Sequence, residues 1–228
     1  MAYNTGPKIV TDGLVLCLDA ADRNSYPGSG STWYDLSGNG NNGTLVNGVG
    51  YSGDNLGSLS FDGVNDYASL TTNIFKQTLP NFSISVWFNN TTNGALLTNH
   101  FGGSTWSSVD AYTTIFIVNA FNNNTTNRQI LNFTSPPLNT WSNLTFVNNS
   151  SSGYMKVFYN TNEIANKIAT VIPWNSDVLP TIGAGLAING GIGNQINGKI
   201  AQLSVYNKAL NPQEIQQNYN TTKGRFGL

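Results

Sequence analysis

GLVLCLDAADRNSYPGSGSTWYDLSGNGNNGTL, residues 13–45, combines a short apolar run, a long looped excursion and a glycine–asparagine turn in one unit. Leu14, Val15, Leu16, Cys17 and Leu18 are bounded by Gly13 and Asp19. Such a run suits a strand buried on both faces or a core helix fragment, and its brevity favours the strand. Residues 19–32 are polar and rich in Gly and Pro, so the chain leaves the sheet there. Trp33, Tyr34 and Leu36 then bring apolar mass beside Ser37-Gly38-Asn39-Gly40-Asn41-Asn42-Gly43, where Gly and Asn tolerate the positive φ of tight turns. The unit is expected to lie as a lid across one edge of a sandwich.

Downstream, Phe82, Ile84, Val86 and Phe88 alternate with Ser83, Ser85 and Trp87, the cleanest period-two strand in the chain. Residues 56–61 and 67–70 flank Asp62-Gly63-Val64-Asn65-Asp66 at the spacing of a hairpin with a longer loop. A weak strand at 95–97 precedes a loop at 100–110, and an apolar run at 112–118 precedes an Asn/Thr-rich turn at 119–127. Residues 130–134 continue the meander, and 141–147 with 154–159 flank a polar turn. Ile164, Ile168 and Val171 form an edge strand before the corner at Pro173-Trp174, while Gly183 and Gly185 mark a bulge or a close backbone approach. In 199–206, Ala201, Leu203 and Val205 lie on a core face and Gln202 and Ser204 on the other. Turn signals this frequent imply a sandwich.

One helix begins at Asn211. Asn211 is a good N-cap, Pro212 suits the first helical position, and Glu214 sits where a capping-box carboxylate reaches back to the cap. Leu210 and Ile215 have the spacing of a hydrophobic staple, Ile215 and Tyr219 share the docking face, and Gly224 offers a stop.

All-β sandwiches often reach 228 residues as one unit, so a single domain over 9–228 is expected after an extended arm at 1–8. Charged residues make up 9% of the chain against about 25% in ordinary domains, so solubility rests on amides and hydroxyls. A formal charge of -1 without a Lys/Arg cluster removes the footprint that nucleic acid or an anionic membrane needs. No apolar run approaches the roughly 20 residues of a membrane span, and residues 1–8 do not form a secretion signal. The lone Cys17 excludes an internal disulfide and is expected to be a buried, inert thiol, which suits synthesis in a reducing cytoplasm.

Several segments together resemble a known family: Ile9-Val10-Thr11-Asp12-Gly13-Leu14, Leu18-Asp19-Ala20, Ser25-Tyr26-Pro27-Gly28-Ser29-Gly30, Trp33 and Asp35-Leu36-Ser37-Gly38-Asn39-Gly40. Phe61-Asp62-Gly63, Asn65-Asp66-Tyr67 and Val205-Tyr206-Asn207-Lys208-Ala209-Leu210 with Glu214-Ile215 complete the set. The chain is similar in these to the laminin-G-like, concanavalin A-like jelly-roll domains of many bacteriophage structural proteins. The resemblance implies an all-β, two-sheet antiparallel jelly-roll sandwich with one short C-terminal helix. It also implies a non-enzymatic virion component, a capsid decoration, fibre or tail-associated protein, assembled in the host cytoplasm with other virion proteins and as a homo-oligomer. The alternative is a glycan-binding adhesin that contacts the host surface, because a fold of this kind does not choose its own function.

The family's glycosidases carry two glutamates close together on one strand, as retaining hydrolysis requires. Here the only glutamates, Glu163 and Glu214, fall on different elements, so no catalytic residue is assigned. His100 is the only histidine and is expected to be a polar loop residue beside Ser104, Ser107 and Ser108, with no nucleophile-elbow pattern. No metal ligand is assigned and no cofactor is required. Calcium, which several relatives bind, has candidates in Asp35, Ser37 and Asn39 and in Asp62, Asn65, Asp66 and Asp110, with turn hydrogen bonding as the competing explanation. Glycan binding needs an aromatic face beside placed amides or carboxylates. Trp106 with Asp110 and Tyr112, and Trp174 with Asn175 and Asp177, are the candidates; Trp106 and Trp174 could equally cover the sandwich ends.

Overall fold

The computed structural model describes residues 8–75, 79–99, 108–122, 125–169, 178–186 and 192–228. Its early strands are β1 (Leu14–Asp19), β2 (Thr32–Trp33), β3 (Gly43–Val46), β4 (Gly50–Ser52), β5 (Ser58–Asp62) and β6 (Tyr67–Leu70). The middle of the chain holds β7 (Asn81–Asn90), β8 (Ala95–Thr98), β9 (Ser108–Tyr112), β10 (Ile115–Asn122), β11 (Thr125–Asn132) and β12 (Ser142–Asn149). The rest are β13 (Tyr154–Tyr159), β14 (Asn162–Ile168), β15 (Thr181–Ile182), β16 (Gly185–Leu186), β17 (Ile192–Gly193) and β18 (Asn197–Tyr206), followed by helix α1 (Pro212–Thr222).

Two antiparallel sheets stack as a jelly-roll sandwich. The first runs β14-β13-β12-β7-β18-β5-β4, with β1 also paired to β18; the second runs β11-β10-β9-β8-β15-β6-β3-β2. Alternation along β7 sends Phe82, Ile84, Val86 and Phe88 inward, where they meet Phe116, Val118, Phe146, Leu203 and Val205. Each such side chain fully buried contributes about 1.5–3 kcal/mol of apolar transfer. Leu16 and Leu18 of β1 join the same core.

Strand β18 organises the first sheet. One edge pairs with β7, while the other pairs with β5 through Asn197–Ile200 and then with β1 through Gln202–Tyr206. A register shift between Ile200 and Gln202 separates the two partners. This bulge turns Ala201 onto the outer face with Trp87 and Phe226, not onto the core face expected from simple alternation. Gln202 and Ser204 also lie under cover, at 8% and 4% exposure.

The opening stretch does more than lie across an edge. It starts in the first sheet as β1 and ends in the second as β2 and β3, so it joins the layers. Its turn is held by Asp35, which accepts from the amides of Cys17, Ser37 and Asn41. The hairpin expected around residues 62–66 does not form: β5 belongs to the first sheet and β6 to the second. Asp62 Oδ1 accepts from the amides of Val64 and Asn65, and Asp66 Oδ2 from Asp62 N, which turns the chain over the rim instead of back on itself. At Gly183 (φ 84) a Cβ would come 2.6 Å from the Phe61 ring, so that glycine does mark a close approach.

Helix α1 carries the expected capping box, with Glu214 N donating to Asn211 Oδ1 (3.0 Å) and Asn211 N to Glu214 Oε2 (2.9 Å). Leu210 and Ile215 pack together with Val147, Phe158 and Tyr206. The chain does not stop at Gly224. It continues as a 3-10 turn through Lys223–Phe226 and reverses at Gly227 (φ 72), because Phe226 must reach the Trp87 ring. Of the expected N-terminal arm only Lys8 is described; its carbonyl accepts from Gln217 Nε2. Among the described residues no helix is long and apolar enough to cross a membrane.

Candidate functional site

The outer face of the second sheet is built by the same alternation that fills the core. In β9, Val109 and Ala111 point inward, so Asp110 and Tyr112 point out. In β10, Phe116 and Val118 point inward, leaving Ile115 and Ile117 on the outer side. A polar ladder crosses this face, since Thr32, Thr44, Ser69, Thr181, Thr98 and Asp110 are successive cross-strand partners. At its covered end the Thr98 and Thr181 hydroxyls lie 3.0 Å apart and both donate to the Ala184 carbonyl.

Beside that end lies a cleft of about 330 Å³, lined by Asn93, Tyr112, Ile117, Arg128 and Asn194 among others. Its volume falls in the range of small-ligand pockets. Tyr112 is half-buried, and its hydroxyl hydrogen-bonds with the Asn194 side chain. Burial, then the negative charge of Asp110, pushes the phenol up to about 12, so it stays a neutral donor at ordinary pH. Asn93 Oδ1 accepts from the hydroxyls of Thr113 (3.1 Å) and Ser135 (2.8 Å), which directs the amide NH₂ of Asn93 elsewhere as a donor. The backbone fixes these partners too: Thr113 N donates to Gly94 O, and Ala95 N to Asn194 O. Gly185 lies under the Tyr112 hydroxyl, where a Cβ would stand 3.0 Å from the oxygen. The cleft therefore offers a phenol, amides and a guanidinium over aliphatic side chains, a set that can hydrogen-bond a polyhydroxyl ligand while packing against its carbon face.

The expected residues are placed unequally. Tyr112 lines the cleft, and Asp110 sits behind it at 4% exposure beside Thr98. Trp106, Trp174, Asn175, Asp177 and His100 lie outside the described residues. Asn93, Arg128 and Asn194 were not singled out by sequence. They come from three separate segments, and the one available signal was Arg128, a cation within an Asn/Thr-rich stretch.

The outer face of the first sheet holds the other aromatic site. Trp141 is half-buried, with its ring 4.6 Å from that of Phe226, and it lines a groove of about 440 Å³ with Ser60, Asn89, Asn139 and Lys199. Reading residues 141–147 as one strand hid it, since Trp141 then looked like ordinary strand content.

The glutamates do not form a pair on one strand. Glu163 on β14 binds Lys156 (2.7 Å) and Asn166 (2.6 Å), bonds that hold its carboxyl below the usual range, and Glu214 caps α1 and binds Lys208 (2.8 Å). Calcium does not fit the Asp35 turn. Asp35 Oδ1 faces the Cys17 and Ser37 amides and Oδ2 the Ser37 hydroxyl and Asn41 amide, so donor hydrogens occupy the lone pairs a cation would need. Asp62 spends Oδ1 on the amides of Val64 and Asn65, bonds that pull its carboxyl below the usual range. Among the described residues no group of three or more His, Cys, Asp or Glu could hold a metal ion.

No curated protein matches the chain significantly. Solved structures with a similar fold include the botulinum neurotoxin serotype D binding domain (TM-score 0.65, 16% identity, 92% of this chain and 52% of that one). A botulinum neurotoxin type C structure, whose cell entry is described as dependent upon interaction with two ganglioside molecules, superposes with a TM-score of 0.67 at 17% identity, covering 93% of this chain and 52% of that one. The binding domain of Paraclostridial Mosquitocidal Protein 1 gives 0.65 at 18% identity, covering 92% and 52%. The chain spans about half the length of these structures, and at such identities the likeness shows the fold alone. A family profile described as the concanavalin A-like lectin/glucanases superfamily matches residues 62–216, more than half of the sequence. With its two-sheet jelly roll and C-terminal helix, the chain belongs to the concanavalin A-like lectin/glucanase superfamily.

Proposed function

We propose that this chain is a non-enzymatic, lectin-like module that binds glycan in the Tyr112 cleft on the outer face of the second sheet. The observation that carries it is the convergence of the Tyr112 phenol, the Asn93 and Asn194 amides and the Arg128 guanidinium on one cleft over Ile115 and Ile117. Tyr112 and the isoleucines supply the apolar wall against which a sugar ring packs, and the amides and guanidinium read its hydroxyls. Membership of a lectin-containing superfamily supports the reading, as does the ganglioside dependence described for the type C neurotoxin as a whole. The test is a glycan array probed with the wild-type chain and with Tyr112→Ala and Arg128→Ala. Saturable binding of at least one glycan, weakened about tenfold or more in both variants with melting temperatures held, is expected. A blank array, or binding that neither variant weakens, contradicts the assignment.

A second reading, a virion component used for assembly and surface display, has one observation in its favour. β14 is the last strand of the first sheet, and it leaves Ile164 at 39% and Ile168 at 88% exposure on an edge without a described partner. Open apolar edges invite pairing with another chain. Mass spectrometry of purified particles tests it: the chain is expected among the virion proteins, and its absence discards the reading.

A further inference from the structure

We propose that the Trp141 groove on the outer face of the first sheet is a second carbohydrate site, which takes an uncharged, equatorially linked pyranose chain. The proposal stands on the row of residues around Trp141 and does not rest on the Tyr112 cleft, although the two rims approach one another where Thr91 precedes Asn93 and Asn194 precedes Asn197.

The groove floor is a cross-strand row. Trp141 immediately precedes Ser142, the partner of Phe88; the next residue of β7, Asn89, is opposite Lys199, and Lys199 is opposite Ser60. Adjacent strands are about 4.8 Å apart, so Asn89 to Ser60 spans about 10 Å of polar floor leading away from an indole. Asn139 and Thr91 border the same space. A side chain at Gly198 would collide with the Asn89 carbonyl, which holds the two strands close beneath the row.

The indole is held in place at its edge and on one side. Trp141 Nε1 donates to Asn55 Oδ1 (2.9 Å), and Asn55 Nδ2 donates to the Arg225 carbonyl (2.9 Å). Arg225 Nη1 lies 2.9 Å from both oxygens of Asp19. Phe226 lies against the Trp141 ring and continues into Trp87, 4.3 Å away, and Tyr219 beyond it. Asn55 (φ 54) and Leu56 (φ 70) both adopt left-handed backbone, which asparagine tolerates and leucine adopts at a cost. Here it aims the Asn55 amide at the indole N–H.

A fixed aromatic wall beside a straight row of amide, amine and hydroxyl groups is preorganised for a rigid ligand with an apolar face and regularly spaced hydroxyls. Equatorially linked pyranoses have that shape: their ring faces present C–H bonds to the indole, and their hydroxyls project at the rim. Lys199 Nζ is neutralised by Asp54 (3.1 Å), which favours an uncharged chain over an acidic one.

The test uses full-length chain carrying Tyr112→Ala and Arg128→Ala, so that the cleft does not contribute. It is titrated with cellohexaose, laminarihexaose and xylohexaose while the tryptophan indole N–H resonances are followed by NMR. A saturable shift of the Trp141 resonance with at least one of the three is expected. Adding Asn89→Ala and Asn139→Ala, which leave the Phe226 stack intact, is expected to weaken that binding at least tenfold with an unchanged melting temperature. No shift with any of the three sugars, or a shift that the added substitutions leave within twofold, overturns the proposal. Loss of array binding in the cleft variants bears on the other site alone.

Discussion

The two outer faces of the sandwich come from the same alternation and end in opposite states. On the first sheet α1 and the C-terminal turn roof a polar seam. Asn218 donates to the Tyr206 hydroxyl and accepts from Val10 N, Trp87 Nε1 donates to Thr222, and Ser204 faces Cys17. On the second sheet the polar ladder runs out from under cover to Thr44, which is exposed. Polar side chains inside a roof are satisfied by one another and serve stability, whereas those beside an open cleft keep donors available for a ligand. The Trp141 groove lies on the first sheet, at the margin of the roof.

The largest expected effect tests the roof. Trp87→Ala removes the stack with Phe226 and Tyr219 and the bond to the Thr222 hydroxyl, which keeps its own bond to the Asn218 carbonyl, so urea denaturation is expected to show a loss of about 3–5 kcal/mol. A loss as small as that of an exposed substitution would mean that the helix does not seal this face.

Alkali sharpens the contrast. Burial raises the Cys17 thiol to about 12 from 9.0, and raises the Tyr206 phenol on the same face. Both hold their protons more tightly folded than unfolded, so the stability they contribute is lost as pH climbs, from about pH 9 for Cys17 and from about pH 10 for Tyr206, at about 1.4 kcal/mol per pH unit for each group between its unfolded and folded values. Tyr112, also raised to about 12, adds a share that begins near pH 10. Thermal melts from pH 8 to 11 are expected to fall above pH 9, and Cys17→Ala to delay the fall to about pH 10, where tyrosines begin to titrate. A flat profile across that range would place the thiol in contact with water.

A smaller effect tests how the roof is fastened. Asn211→Ala breaks the capping box and is expected to cost about 1 kcal/mol in the same denaturation assay, without altering glycan binding in the Tyr112 cleft. An equal loss of binding would couple the faces.

The contrast also explains what was legible in the sequence. Strand β7 and the cap of α1 were readable because their signals are local: an alternation over seven residues and a four-residue box. The 56–70 segment was misread because alternation reports that a strand has an inside face but not which sheet it joins. Asn218 and Thr222 were missed on the docking face of α1, where only Ile215 and Tyr219 were expected, because amides and hydroxyls ordinarily mark the solvent side. The cleft was half readable. Tyr112 stood out as an aromatic near a polar loop, but its partners Asn93 and Arg128 meet only when β8, β9, β10 and β11 pair, and Asn194 joins them only when the chain after β17 returns to accept from Ala95 N. Trp141 was hidden for a related reason, since its role depends on Asn55 and Phe226, one far upstream and the other near the C-terminus.

The central claim is that the open face of the second sheet, and not the roofed seam, receives ligand. Backbone amide NMR of the isotope-labelled wild-type chain, titrated with the strongest array glycan, tests it most directly. Shifts clustered on Asn93, Tyr112, Arg128 and Asn194, with Gln202, Ser204 and Asn218 unmoved, are the predicted result. Shifts concentrated on the seam beneath α1, with the cleft silent, would contradict it.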